Sequence, residues 1–201
     1  MNERFYELPK DKQDRMINGA MRIFSENGYK HASTDEMVKV SGVSKGLWFH
    51  YFDNKNGLYY YVCSYAVKYA LLEYEMMFDM SLTDFFDIYG AVEKIKASFT
   101  DKYPFMPLML NSIKHEDNTE AVKLIGDIRD KYKQELSGLY LRADVSVFKR
   151  SEDAMKMGKM LEYTFDGLTE NQYRQGMFSK SVYLADVEDF LKMTRNMVLG
   201  R

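Results

Sequence analysis

The stretch Gly42-Val43-Ser44-Lys45-Gly46-Leu47-Trp48-Phe49-His50-Tyr51-Phe52 decides how this chain of 201 residues folds. Gly42 breaks one short helix, Val43 plugs the corner, and Ser44 stands where a helix cap is needed. Trp48 and Phe52, four residues apart, share one helical face and turn inward. Lys45, Gly46, Phe49 and His50 are left on the opposite face. Upstream, Ser33-Thr34-Asp35-Glu36 reads as a capping box, with the Ser33 hydroxyl accepting from the Glu36 amide and the Glu36 carboxylate reaching back. The helix it opens, about 34–41, points Met37, Val38 and Val40 inward. Two short helices around a tight turn make a helix-turn-helix, but they bury too little apolar surface to stand alone. A first helix beginning near Pro9 or Lys10 supplies the rest through Met16, Ile17, Ala20, Ile23 and Phe24, and Asn27-Gly28 is its stop.

Beyond the polar turn Asp53-Asn54-Lys55-Asn56, a long aromatic helix is expected from Gly57 to Phe78. Helix then follows helix, with breaks near 81–83, 101–107, 117–119, 145–151 and 176–183. Strand-like alternation is confined to Tyr140–Phe148. The fold class is all-α, and a shift toward Met and Tyr after residue 55 divides the chain into domains 1–55 and 56–201.

With 46% hydrophobic and 15% aromatic residues, the chain can bury a full core. A net charge of −2 argues against a protein that coats nucleic acid along its whole length, yet leaves room for a local reading surface. One cysteine, Cys63, excludes an internal disulfide and a cysteine-rich zinc site. The charged opening MNERFYELPKDKQDR lacks an apolar signal core, and no segment reaches the roughly 18–20 apolar residues of a membrane span. A cytoplasmic protein is expected. His31, His50 and His115 are scattered, His115-Glu116 has no second histidine four residues on, and no glycine-rich loop follows a strand. No catalytic residue, metal or cofactor is therefore expected.

The run Gly42–Phe52 followed by Asn54-Lys55-Asn56-Gly57-Leu58 resembles the signature of the TetR family of regulators. Ile23-Phe24, Gly28-Tyr29 and Ser33, Glu36, Met37, Val38 match it at the same offsets, so the resemblance covers roughly residues 10–60. It implies a three-helix DNA-binding domain followed by a larger helical ligand-binding and dimerisation domain. It also implies a repressor that leaves a roughly palindromic operator when a small molecule binds. Carried over by position, Thr34 and the helix amides behind it hold a phosphate. Ser44, Lys45 and Gly46 open the recognition helix, Leu47, Phe49 and His50 face the major groove, and Tyr51 and Lys55 hold flanking phosphates. Neither Leu47 nor Phe49 can hydrogen-bond a base, so contact with thymine methyls or with DNA shape takes its place. Ala32 stands where a hydroxyl residue is common in the family.

For the second domain, the resemblance implies an effector pocket and a four-helix dimer interface. Pocket candidates are Tyr61, Tyr65, Tyr69, Phe105, Met109, Tyr132 and Tyr163, which suit an apolar or aromatic ligand; for the stripe Tyr61, Tyr65 and Tyr69, core packing is the commoner role. Met157, Leu161, Phe165 and Leu168 form one apolar stripe, and Val187, Phe190, Leu191, Thr194 and Val198 a second. They face either a second copy of the chain, with Gly158 and Gly167 permitting close approach, or the chain's own core. Two rival functions remain. One is a regulator of this fold that activates or answers to a protein. The other is a helical enzyme or ligand-binding module that no longer binds DNA.

Overall fold

Pro9 precedes the first long helix, where a missing N–H costs nothing, and its carbonyl accepts from Lys12 and Gln13 at 2.9 and 3.1 Å. The computed structural model describes residues 3–200. The helices are α1 Lys10–His31, α2 Thr34–Ser41, α3 Lys45–Phe52, α4 Lys55–Met77, α5 Phe85–Ser98, α6 Met106–His115, α7 Thr119–Tyr140, α8 Ser151–Arg174 and α9 Lys180–Leu199. Short 3-10 turns lie at Glu3–Glu7 and Phe99–Asp101. Among the described residues there is no strand, only an isolated bridge between Asp84 and Asp144. The fold is all-α, with the N-terminal helix-turn-helix and a larger helical remainder. The alternation over Tyr140–Phe148 begins on the last residue of α7 and runs through the loop to α8, where no strand of the described residues offers a ladder.

Several local expectations need correction. The break expected at Asn27-Gly28 is present as a kink and not as a left-handed cap: at φ 69° and ψ 167° Gly28 takes a conformation open only to glycine, and a short helical stretch follows it to His31. The Ser33 hydroxyl accepts from the Asp35 amide at 3.3 Å, one residue short of the partner a capping box requires. Ser44 occupies the cap position of α3 without making a side-chain bond. Val40 is exposed, since on an eight-residue helix only Met37 and Ser41 fall fully inside. α9 starts earlier than expected because Ser179 caps it, accepting from Val182.

Two units of contacts emerge. One comprises residues 1–69 and 103–132, the other 70–102 and 133–201. In the first, α1 packs on α2 and α6, α2 meets α3, and the turn at Glu3–Glu7 meets α3. Met16, Ala20, Phe24, Met37, Val43 and Trp48 fill its interior. In the second, α9 packs on α5 and α8 around Phe85, Phe86, Tyr89, Leu161, Phe165, Tyr183 and Val187.

That second core contains the stripes proposed for dimerisation. Leu161, Phe165, Val187 and Thr194 are buried in their own chain, and Met157, Leu168, Phe190, Leu191 and Val198 pack against the same cluster. Gly158 sits beneath the Tyr89 hydroxyl, so its missing Cβ makes room within the chain. Periodicity cannot distinguish a face that meets a neighbouring helix from one that meets another copy. The outward apolar residues of these helices are Met155, Met160 and Tyr163 on α8 and Val182, Met193, Met197 and Leu199 on α9.

The same core holds a cluster of charge. Lys96 Nζ lies 2.6 Å from Glu93 Oε2, both side chains being almost fully buried. Tyr183 donates to the same carboxylate oxygen at 2.5 Å, and Thr169 donates to the Tyr183 hydroxyl at 3.3 Å.

Candidate nucleic-acid interface

The turn into α3 is built by Gly42, whose φ of 67° and ψ of 20° place it in the left-handed region while its N–H donates to the Val38 carbonyl. Val43 is buried beneath the corner, and its N–H donates to the Ser41 hydroxyl at 3.2 Å. From there α3 presents Ser44, Lys45, Gly46, Phe49 and His50 to solvent on one side. Phe49 is 39% exposed, so its ring is accessible on this face. Leu47 is half-buried at the edge of this face, and Thr34 is half-buried at the start of α2.

Charge on this surface is mixed. Lys45 Nζ pairs with Asp35 Oδ1 at 2.7 Å, so the lysine is already held across the front of α2. Exposed pairs of this kind contribute little to stability, and a phosphate can compete for the lysine. Tyr51 is only 8% exposed; its ring packs edge-on against Phe5, with centroids 5.7 Å apart.

Lys55 stands in a different setting from the free phosphate clamp expected. Its ammonium donates to the Lys30 carbonyl at 3.1 Å and lies 5.1 Å from the centre of the Tyr29 ring. Burial holds its pKa below the ordinary lysine value, with Glu120 pulling the other way. Around it lies a cleft of about 390 Å³ lined by Tyr29, Lys30, Lys55, Asn118, Thr119 and Glu120.

Two carboxylates near the α6–α7 corner grip this part of the molecule. Glu120 accepts from Tyr29 at 2.8 Å and from Asn56 at 3.3 Å, while Glu116 accepts from Tyr59 at 2.7 Å. Burial and the Glu120 carboxylate push the Tyr29 hydroxyl up to about 12. Removing that hydroxyl with Tyr29→Phe leaves Glu120 with Asn56. A loss of about 1 kcal/mol is expected, reduced but not abolished when Glu120→Ala is already present, because the Tyr29 hydroxyl also has Asn56 Oδ1 as an acceptor at 2.7 Å; a double-mutant cycle in urea would show it.

The pocket candidates divide between the units. Tyr61 and Tyr65 have ring centroids 6.1 Å apart, Tyr65 and Tyr103 share a hydroxyl hydrogen bond, and Tyr69 meets the Tyr103 ring edge-on at 5.1 Å. Phe105 lies under the Arg22 guanidinium at 5.3 Å, and Met109 and Tyr132 are buried. Tyr163 belongs to the second unit and is 59% exposed, beside Lys159 and Met160 in a groove of about 450 Å³. Cys63 is fully buried, and burial pushes its thiol up, away from the reactive thiolate.

Residues 16–62 match the sequence profile of the bacterial regulatory proteins of the tetR family. Residues 16–62 form a tetR-family domain. The transcriptional repressors AcnR of Corynebacterium glutamicum and of Corynebacterium efficiens are each 33% identical to this chain over 51 residues. That match covers 25% of the chain and 27% of each repressor, so the chain spans about a quarter of the curated relatives it matches. A TetR family transcriptional regulator from Chloroflexus aurantiacus superposes with a TM-score of 0.65 at 16% identity, over 98% of this chain and 96% of that one. The fatty acid degradation regulator FadR from Bacillus halodurans does so with a TM-score of 0.61 at 18% identity, over 89% and 96%. The fold beyond the tetR-type domain is thus one that such proteins share. Among the described residues, no helix is long and apolar enough to cross a membrane.

Residues before position 16 lie outside the matched segment, yet Phe5 is completely buried in the tetR-type domain. An apolar residue four positions before a proline carries no periodicity, so sequence reading passes over it.

Proposed function

We propose that the protein is a cytoplasmic, non-catalytic transcription repressor that binds a roughly palindromic operator as a homodimer and is released by a small molecule. The observation that carries this reading is the exposed Lys45, Gly46, Phe49 and His50 face on α3, within a tetR-type domain. Residues 1–55 read DNA and residues 56–201 regulate. Lys45 and the amides at the start of α2 behind Thr34 take phosphates, whereas Leu47, Phe49 and His50 lie against base edges. Tyr51 contributes chiefly to packing, and Lys55 reaches a phosphate only by leaving the Lys30 carbonyl. A second copy of the chain docks on the outward residues of α8 and α9, and two-fold symmetry lets the free energies of two modest half-site contacts combine. The effector is apolar or aromatic, and Tyr61, Tyr65, Tyr69, Phe105, Met109 and Tyr132 are its candidate contacts; Tyr163 belongs with the outward face of α8. An effector changes DNA affinity only by its differential affinity for two arrangements of the chain.

Selection from a random duplex pool tests the reading. The wild type should enrich a palindrome, with light scattering reporting a dimer at micromolar concentration. Lys45→Ala should flatten the slope of log affinity against log salt by about 0.9 per protomer. No enrichment over random duplex at moderate salt would overturn the repressor reading.

A further inference from the structure

α3 is eight residues long, lacks a side-chain cap, and the indole N–H of Trp48 has no hydrogen-bond partner among the described residues. No polar tether therefore fixes the orientation of its buried side, which depends on ring packing. Phe5 supplies much of that packing. Its ring is fully buried, with centroids 5.1 Å from Phe52, 5.7 Å from Tyr51 and 5.4 Å from Tyr61. Phe52 and Tyr61 are themselves 5.1 Å apart, so Phe5 closes a cluster joining the end of α3 to the second turn of α4. The segment is anchored from α1: Gln13 Nε2 donates to the Leu8 carbonyl at 2.8 Å and to the Tyr6 carbonyl at 3.2 Å.

We propose that residues 3–8 are a strap that sets the angle of the recognition helix, with Phe5 as the positioning residue and Gln13 as its anchor. The DNA-binding consequence rests on the repressor reading above; the positioning of α3 does not. Tyr51 and Phe52 are the last two residues of α3, whereas Lys45 and Gly46 are at its other end. A small rotation about the buried end becomes a larger displacement at the reading end. Without the strap the protein still folds, because the remaining core of the unit is intact, but α3 samples a range of angles. Affinity for any duplex through phosphates then survives, while discrimination between duplexes falls.

Trp48 is the only tryptophan in the chain and lies on α3, so its fluorescence reports the helix directly. Phe5→Ala and the milder Gln13→Ala should each raise acrylamide quenching of Trp48 with helicity by circular dichroism unchanged. The affinity of Phe5→Ala for the palindrome selected by the wild type should fall roughly tenfold or more, in line with the loss of several aromatic pairs, and that of Gln13→Ala should fall by less. Affinity for random duplex should hold, and Phe5→Leu should restore most of the discrimination by refilling the space. Unchanged Trp48 quenching in Gln13→Ala and Phe5→Leu, with Phe5→Ala unfolded or equally unchanged, would overturn the strap. So would increased quenching with discrimination intact. If the wild type selects no duplex, the repressor reading falls, and the quenching data alone decide whether the strap holds α3.

Discussion

Replacing Lys96 with methionine is expected to destabilise the protein by about 3–5 kcal/mol, the cost of leaving a buried carboxylate without its counter-ion. Methionine matches the volume, so the effect isolates charge from packing. Burial alone would favour a neutral amine at Lys96, but Glu93, Tyr183 and Asp166 outweigh it, and the ammonium is held well above the ordinary lysine range. The folded pKa is thus raised above the unfolded one. The stabilisation is fully present below the unfolded value and is lost only as pH rises through the folded value, in strong alkali. Urea titration followed by circular dichroism at neutral pH measures the loss. The double variant Lys96→Met, Glu93→Gln should recover most of it, because a neutral amide still accepts from Tyr183. Recovery would show that the single variant suffers from an orphaned charge and not from a damaged core.

Gly57→Ala is expected to cost up to about 3 kcal/mol and to impair sequence-selective DNA binding. A Cβ there would lie 2.5 Å from the carbonyl oxygen of Phe52. That oxygen ends α3 and cannot step aside, since it accepts from the Asn54 amide at 2.6 Å. The turn is already constrained by Asp53, a non-glycine residue at φ 59°, and by the Asn54 side chain, which accepts from the Gly57 amide at 2.9 Å. Relief requires moving the end of α3 relative to α4, the junction that Phe5 covers. A wild-type denaturation midpoint and wild-type Trp48 emission in this variant would refute the argument.

These two sites show where sequence reading succeeds and where it stops. Gly57 lies in a stretch whose turn was legible, because Asp53-Asn54-Lys55-Asn56 offers no apolar period and glycine tolerates close backbone approach. The reason this glycine cannot be replaced, a carbonyl five residues earlier, appears only once the turn is closed. Glu93 and Lys96 are three residues apart on α5, a spacing that makes a solvated ion pair on any exposed helix face. Only the packing of α8 and α9 over them turns a surface pair into a buried one.

The α2–α3 corner at Gly42-Val43, the inward anchors Trp48 and Phe52 and the outward Lys45, Gly46, Phe49 and His50 were determined by the sequence itself. Helical spacing and a left-handed glycine are local properties, set within a few residues. Tertiary structure alone decided which apolar stripes of α8 and α9 fill their own core, where Lys55 and Tyr51 point, and that Phe5 packs with the tetR-type domain. Those outcomes depend on residues distant in sequence that compete for one buried space, and periodicity states that a face is buried without naming what buries it.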